Sequence, residues 1–373
     1  MSQPALNPMF GTNKLKIGTF TTNSVNMLTV APEISRPSWT NCLAAAKLAD
    51  GAGFETITPV ARWKGYVDGN VEHPSHEVVE AFTFAAAIAQ ATHYSAIVAT
   101  SHAPTIHPVA VAKQCATIDH ISNGRFVLNA VSGWNRREFD MFGINLLEHS
   151  ERYQYLDEWL MLLRRLWTGE EFNFRSGYFN LKAALCRPVP LQRRIPVMNA
   201  GLSSVGMRFA AHHADIAFRM PAERDPRMWR QEVIEYKQLA LNEFGREIKV
   251  WTNASVIQAK TQEEAEALRV RYSETMVDRE ALQSIITSLV QENGWTASDT
   301  RIPLMRQRLS CGAGYPLIGT ADRIAEQLQA MADSGIDGVL LSWANFLPGL
   351  SDFIQEVLPR LERAGLRAPF EMG

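Results

Sequence analysis

Short apolar runs alternate with longer amphipathic segments along almost the whole chain, and this rhythm restricts the fold more than any other feature. LKIGTFTT (15–22), FETITPV (54–60), SAIVATS (95–101), GRFVLNAVS (124–132), RIPVMNAG (194–201), ADIAFRM (214–220), IKVWTNASVIQA (248–259) and DGVLLSWA (337–344) have strand length. Helical patterns follow, from Ser38 to Ala52, over 75–91, 107–121 and 149–169, and in GLSDFIQEVLPRLERAG near the C-terminus. Apolar runs separated by helices of this length are the mark of βα units feeding a parallel sheet. Eight such runs, with no internal repeat and no Pro/Gly/Ser-rich linker, favour a single (β/α)8 TIM barrel over 1–373 rather than an open doubly wound sheet.

The best-defined helix is HSERYQYLDEWLMLLRRLWTG (149–169), where Tyr153, Leu156, Leu160, Leu163 and Trp167 form one stripe. Ser150 is its expected N-cap and Gly169 its stop. Two insertions break the rhythm, a polar excursion after strand four and a charged, then amphipathic segment over 261–315 between strands seven and eight. The second is either a lid over the site or extra helical packing.

Of the 373 residues, 46% are apolar and 20% charged, enough for a large core, and the net charge of −2 comes without a basic block. Neither nucleic acid nor a membrane surface is an expected partner. Cys42, Cys115, Cys186 and Cys311 are widely spaced and form no C-x-x-C pair. That spacing, with no apolar leader and no run of about 18 apolar residues, points to a soluble cytoplasmic protein.

In a barrel of this kind the C-terminal strand ends carry the chemistry. Strand three ends in Thr100, Ser101 and His102, and strand four in Asn129, Ser132, Gly133 and Trp134. Strand five runs into NAGLSS, where Gly201 and Ser203 at a helix start make either a phosphate site or a plain N-cap. GAGFET and GAGYPL lack the third glycine of a dinucleotide fingerprint, and GLSSVG misses the nucleophile-elbow spacing. No metal is expected. His73 and His76 lack the rest of a zinc motif, and adjacent His212 and His213 should diverge by about 100° on a helix. His102 is either a packing histidine or a catalyst.

ATIDHISNGRFVLNAVSGWNRREFDMFG (116–143) resembles the bacterial luciferase-like flavin monooxygenases, in the two-component branch that holds pyrimidine and dimethylsulfone monooxygenases. The likeness continues through HSERYQYLDEWLMLLRRLW, IPVMNAGLSSVGM, LIGTADRIAEQL and GIDGVLLSW. It implies a (β/α)8 barrel that uses O2 and reduced FMN (FMNH2), the latter supplied by a separate NAD(P)H-dependent flavin reductase. One oxygen atom would reach a small, polar, nitrogen- or sulfur-containing substrate, with cleavage to follow. A homodimer or homotetramer is implied.

Carried onto this chain, the resemblance places Val60, Ala61 and Arg62 along the flavin ring, Asn129 in a hydrogen bond to it, and Glu138 in the cofactor set. Arg152, Tyr153, Gly201 and Ser203 fall at the phosphate end. Thr100 and Asn129 shape the oxygen pocket, Trp134 walls it, and His102 joins the catalytic group. Arg62 stands where the pyrimidine enzymes carry lysine, and His102 and Pro104 stand where they are apolar or small, so a different substrate pocket is expected. Two rivals remain, a deazaflavin (F420)-dependent oxidoreductase on the same barrel and a flavin-binding protein without turnover.

Overall fold

The computed structural model of the chain describes residues 7–34, 36–220, 225–292, 296 and 298–371. The described residues form eleven strands: β1 Lys16–Phe20, β2 Thr56–Thr58, β3 Ala96–His102, β4 Phe126–Val131, β5 Phe172–Arg175, β6 Asn180–Ala184, β7 Val197–Asn199, β8 Ile216–Phe218, β9 Lys249–Gln258, β10 Tyr315–Gly319 and β11 Gly338–Trp343. Eight of them close a parallel barrel in the order β9-β11-β1-β2-β3-β4-β7-β8, with β8 pairing back onto β9. Each of the eight apolar runs supplies one barrel strand, and β7 and β8 shrink to three residues each.

The ninth strand of the sheet, β10, begins at Tyr315, the last residue of the segment assigned above to the second insertion, and runs on to Gly319. It exists because β9 is ten residues long. Residues Lys249, Val250 and Trp251 pair with β8, and Ala254 to Gln258 pair with β10, while β11 runs along Trp251 to Val256. The β5–β6 pair, also absent from the sequence reading, is an antiparallel hairpin outside the barrel. Phe179 and Tyr178 hold it against Tyr155 of the His149–Leu166 helix, with ring centroids 5.0 and 5.3 Å apart.

Strand parity sorts the side chains. In β3, Ile97 and Ala99 face the helices and join the main core, whereas Ala96 and Val98 join an interior plug with Met9, Val127, Met198, Ile216, Trp251 and Leu340. Alternation then turns Thr100 and His102 inward above the plug, and Asn129 follows Val127 in β4 for the same reason. Among the described residues the plug fills the lower barrel, and the cavity lies above it at the C-terminal strand ends.

Two helix starts differ from expectation. The helix expected over 75–91 begins at Ala81, because the Glu80 carboxylate caps it through Phe82 N and Thr83 N, at 3.0 and 2.7 Å. Ahead of it Val78 bridges to Ser24 and Val79 N–H donates to Asn23 O, so this backbone pairs across to the loop after β1. The long helix starts at His149, and its N-cap is Glu148 rather than Ser150, with no side-chain capping bond. Gly169 does sit just past its end, at φ +73°. The 261–315 insertion has a small core of its own, in which Val277, Leu282 and Ile286 pack with Leu28, Val290, Ile302 and Leu309.

Candidate functional site

A cavity of about 440 Å³ opens at the C-terminal mouth of the barrel. It lies in the size range of cofactor sites. Its floor is the top of the plug, Met198 and Leu340, with Phe20 and Phe218 beside them.

Thr100 and Asn129 are register partners in the β3–β4 ladder, and Asn129 Nδ2 donates to Thr100 Oγ1 at 3.0 Å. That bond fixes the amide, and it leaves the buried Asn129 Oδ1 without a partner. An orphaned acceptor at the wall of a cavity is costly unless a ligand donor meets it. After β4 the chain turns through Gly133 at φ +81°, where a Cβ would lie 2.4 Å from Phe139 Cζ. Only glycine lets the backbone pass this close to Phe139. Beyond the turn Trp134 stands at the rim, 37% exposed.

The other end of the cavity gathers a guanidinium, hydroxyls and two helix starts. His149, Arg152 and Tyr153 occupy one face of the first turn of their helix, and all three line the cavity. Arg152 is buried; its Nη1 donates to Gly133 O at 2.9 Å, and its Nε has no partner. The Tyr153 hydroxyl is hydrogen-bonded to Ser203 and Ser132, and burial raises its pKa above the ordinary phenol value. Ser203 caps the Ser204–His213 helix by accepting from Gly206 N at 3.1 Å. Gly201 and Gly206 meet so closely that a Cβ on Gly201 would fall 2.6 Å from Gly206 Cα. Two helix N-termini, a guanidinium and three hydroxyls therefore converge, the chemistry that holds a phosphate.

His102 lies between this cavity and a second one of about 110 Å³, lined also by Arg62, Trp63, Glu80 and Ile106. Its Nδ1 is 3.4 Å from Glu138 Oε2, which leaves it attracted to the carboxylate but outside good hydrogen-bond geometry. Burial lowers the His102 pKa, opposed by Glu138, so the ring is neutral near pH 7.

Val60, Ala61, Thr100, His102, Asn129, Trp134, Arg152, Tyr153, Gly201 and Ser203 all line the larger cavity. Two expected cofactor contacts do not. Glu138 is 2% exposed and accepts from Trp63 N at 3.0 Å and Lys64 N at 3.5 Å, so it pins the loop after β2 from behind. Arg62 turns toward the smaller cavity, stacked 4.3 Å over Tyr66 and donating to Ser24 Oγ at 3.3 Å. The sequence reading passed over His149, although its i+3 and i+4 spacing to Arg152 and Tyr153 was the available signal. It also passed over Leu289, which reaches the cavity from the Arg279–Glu292 helix of the second insertion and left no local signal.

The expected divergence of His212 and His213 is corrected. In the last turn of the Ser204–His213 helix their rings lie 4.0 Å apart, and with Asp157 their ligand-type atoms fall within 4.8 Å of one another. His213 is nevertheless committed. Its Nε2 pairs with Asp157 Oδ1 at 2.5 Å, and Arg164 Nη1 faces its Nδ1 at 3.1 Å. A guanidinium at one nitrogen and a carboxylate at the other make this a helix-to-helix tie. His73 and His76 are likewise spoken for, His73 by Asp278 at 2.9 Å and His76 by Gly65 N at 3.0 Å and Val67 O at 2.9 Å.

A closed parallel barrel with a cofactor-sized cavity at its C-terminal mouth defines the (β/α)8-barrel class of enzyme. Within that class, the chain belongs to the luciferase-like monooxygenase family, whose sequence profile matches residues 15–338. It is a flavin-dependent monooxygenase. Pyrimidine monooxygenase RutA of Enterobacter sp. (strain 638) is 31% identical over 360 residues, spanning 93% of this chain and 96% of that protein. The RutA of Escherichia coli O8 (strain IAI1) is 31% identical over 369 residues, 95% of this chain and 94% of that one. Among solved structures, long-chain alkane monooxygenase LadA superposes with a TM-score of 0.82 at 24% identity, over 97% of this chain and 94% of its own. DmoA from Hyphomicrobium sulfonivorans does so at 0.81 and 21% identity, over 97% and 91%. The family membership agrees with the resemblance read from residues 116–143. Among the described residues no helix is long and apolar enough to cross a membrane.

Proposed function

We propose that this enzyme takes FMNH2 from a separate flavin reductase and uses O2 to oxygenate a small, polar, nitrogen- or sulfur-containing molecule. The observation that carries the reading is the pair of orphaned polar atoms at the wall of one cavity, Asn129 Oδ1 on the β4 strand and Arg152 Nε in the anion cradle. Asn129 Oδ1 suits a ring N–H donor, and Arg152 Nε suits a phosphate. Together they fit FMN better than a flavin without the phosphate. Bound reduced flavin supplies the electrons that activate O2.

The chain's own residues do the rest. Thr100 holds the Asn129 amide, and Gly133 and Trp134 shape the rim. Leu289, lowered from the insertion, supports a role for 261–315 as a lid that excludes water. Arg62 and Trp63 offer a polar and an aromatic wall on the smaller cavity, the substrate side in this reading. His102, neutral and between the two cavities, is placed to hold a proton of the substrate. An Arg62 fork in place of a lysine point charge supports a substrate other than the pyrimidines.

The test is stopped-flow mixing of the anaerobic protein–FMNH2 complex with oxygenated buffer, alongside deazaflavin as the competing cofactor. Tight FMNH2 binding and oxidation kinetics distinct from free FMNH2 are expected. Tight deazaflavin binding without O2 consumption, or stoichiometric H2O2 with every nitrogen or sulfur compound tried, would count against the proposal.

A further inference from the structure

We propose that His149 makes cofactor binding proton-coupled, neutral in the free protein and taking up one proton when the dianionic phosphate enters the cradle. This rests on the FMN reading above. Arg152 is the one permanently charged residue lining the cavity among the described residues, and no carboxylate shares that lining. A phosphate monoester carries roughly −1.5 to −2 near pH 7. Arg152 leaves it about one positive charge short.

His149 is the group placed to close that gap. It sits one turn before Arg152 and Tyr153 on the same helix face, with its ring centroid 5.4 Å from that of Tyr153. Its helix start lacks a side-chain cap, whereas the facing Ser204–His213 helix is capped by Ser203. The unpartnered Nε of buried Arg152 is the independent sign of a ligand at this helix start.

The charged and titratable groups around the ring are few. Its own helix brings Arg152, Glu148, Glu151 and Tyr153. The β4 turn and the β7 turn contribute Ser132, Gly133, Trp134, Gly201, Leu202 and Ser203 to the lining, none of them charged. Partial burial and then Arg152 lower the His149 pKa in the free protein. A dianion beside the ring reverses that push, since an opposite charge favours the protonated form. The proton comes from solvent onto a ring nitrogen, no covalent bond to the ligand forms, and the imidazolium then donates to a phosphate oxygen. By linkage, FMN affinity must fall as pH rises between the free and the bound His149 pKa.

The experiment titrates the full-length protein with FMN and with riboflavin, by fluorescence and by calorimetry in buffers of different ionisation enthalpy. Wild type should bind FMN more tightly than riboflavin and, at a pH between the free and the bound His149 pKa, take up close to one proton with FMN only. H149F should weaken FMN about tenfold, the scale of one charge-assisted hydrogen bond, abolish the uptake and leave riboflavin unchanged. H149K should restore FMN affinity without uptake, which a merely structural histidine would not allow. Unchanged FMN affinity and uptake in H149F would overturn the inference. Wild type binding FMN no more tightly than riboflavin would instead overturn the phosphate reading beneath it.

Discussion

Gly206→Ala puts a methyl group where the phosphate cradle is tightest, and its two consequences should separate. The new Cβ would lie 2.4 Å from Tyr153 Oη and 2.8 Å from Gly201 Cα. Overpacking of this kind costs about 1–3 kcal/mol. Alanine recovers about 1 kcal/mol of helix propensity, because Gly206 lies inside the Ser204–His213 helix. The net loss of folding stability is therefore only about 0–2 kcal/mol. Binding should suffer more. The Tyr153 phenol is the movable partner in the clash, and displacing it from Ser203 and Ser132 removes a donor to the phosphate. A hydrogen bond to a charged group is worth about 1.5–3 kcal/mol, a loss of roughly 10- to 150-fold in FMN affinity. Urea unfolding gives the first number and FMN quenching titrations the second, with riboflavin as the phosphate-free control. If G206A is folded and binds FMN within about twofold of wild type, the phenol is not a phosphate ligand. An equal loss for riboflavin would refute the reasoning in another way, by showing that the ring end had moved.

Two further outcomes are expected. Thr100→Val keeps the side-chain shape but removes the acceptor of Asn129 Nδ2, so flavin should still bind while product per O2 falls and H2O2 rises, read by a coupled peroxide assay. His102→Gln should flatten part of the acid sensitivity of folding. Burial depresses the folded His102 pKa below its unfolded value of 6.5. Its contribution is therefore complete above about pH 6.5 and is lost as pH falls from there through the folded pKa. Urea unfolding at pH 7.5 and at successively lower pH should show a smaller decline in H102Q than in wild type; identical declines would mean that His102 titrates as freely in the fold as outside it.

The barrel was legible because its signals are local. A strand that is apolar on both faces announces a parallel sheet within eight residues, and parity within β3 and β4 already aims Thr100, His102 and Asn129 to one side. The strand-five end already offered Gly201 and Ser203, and the resemblance added Arg152 and Tyr153, which no spacing rule links to those strands. β10 was missed because YPLIG has no helix-to-strand rhythm of its own; only the extra length of β9 creates an edge for it to pair with. The Ala81 helix start was misplaced because the Val78 and Val79 backbone is claimed by Ser24 and Asn23, some 55 residues upstream in the chain.

By itself, then, the order of residues determined the secondary-structure alternation, the inward or outward aim of each strand residue and the glycine needed after β4. Tertiary structure decided which polar atoms end up with partners. Glu138 reads as a site residue, yet the Trp63 and Lys64 amides take it away from the cavity. Arg62 reads as a ring contact, yet Tyr66 and Ser24 draw it toward the smaller chamber. His149 stands out by no motif of its own, yet the helix start that it shares with Arg152 and Tyr153 brings it to the lining of the cavity. Hydrogen-bond satisfaction is settled by whichever backbone amides and rings close the distance in space, and that competition is not written in any local window of the chain.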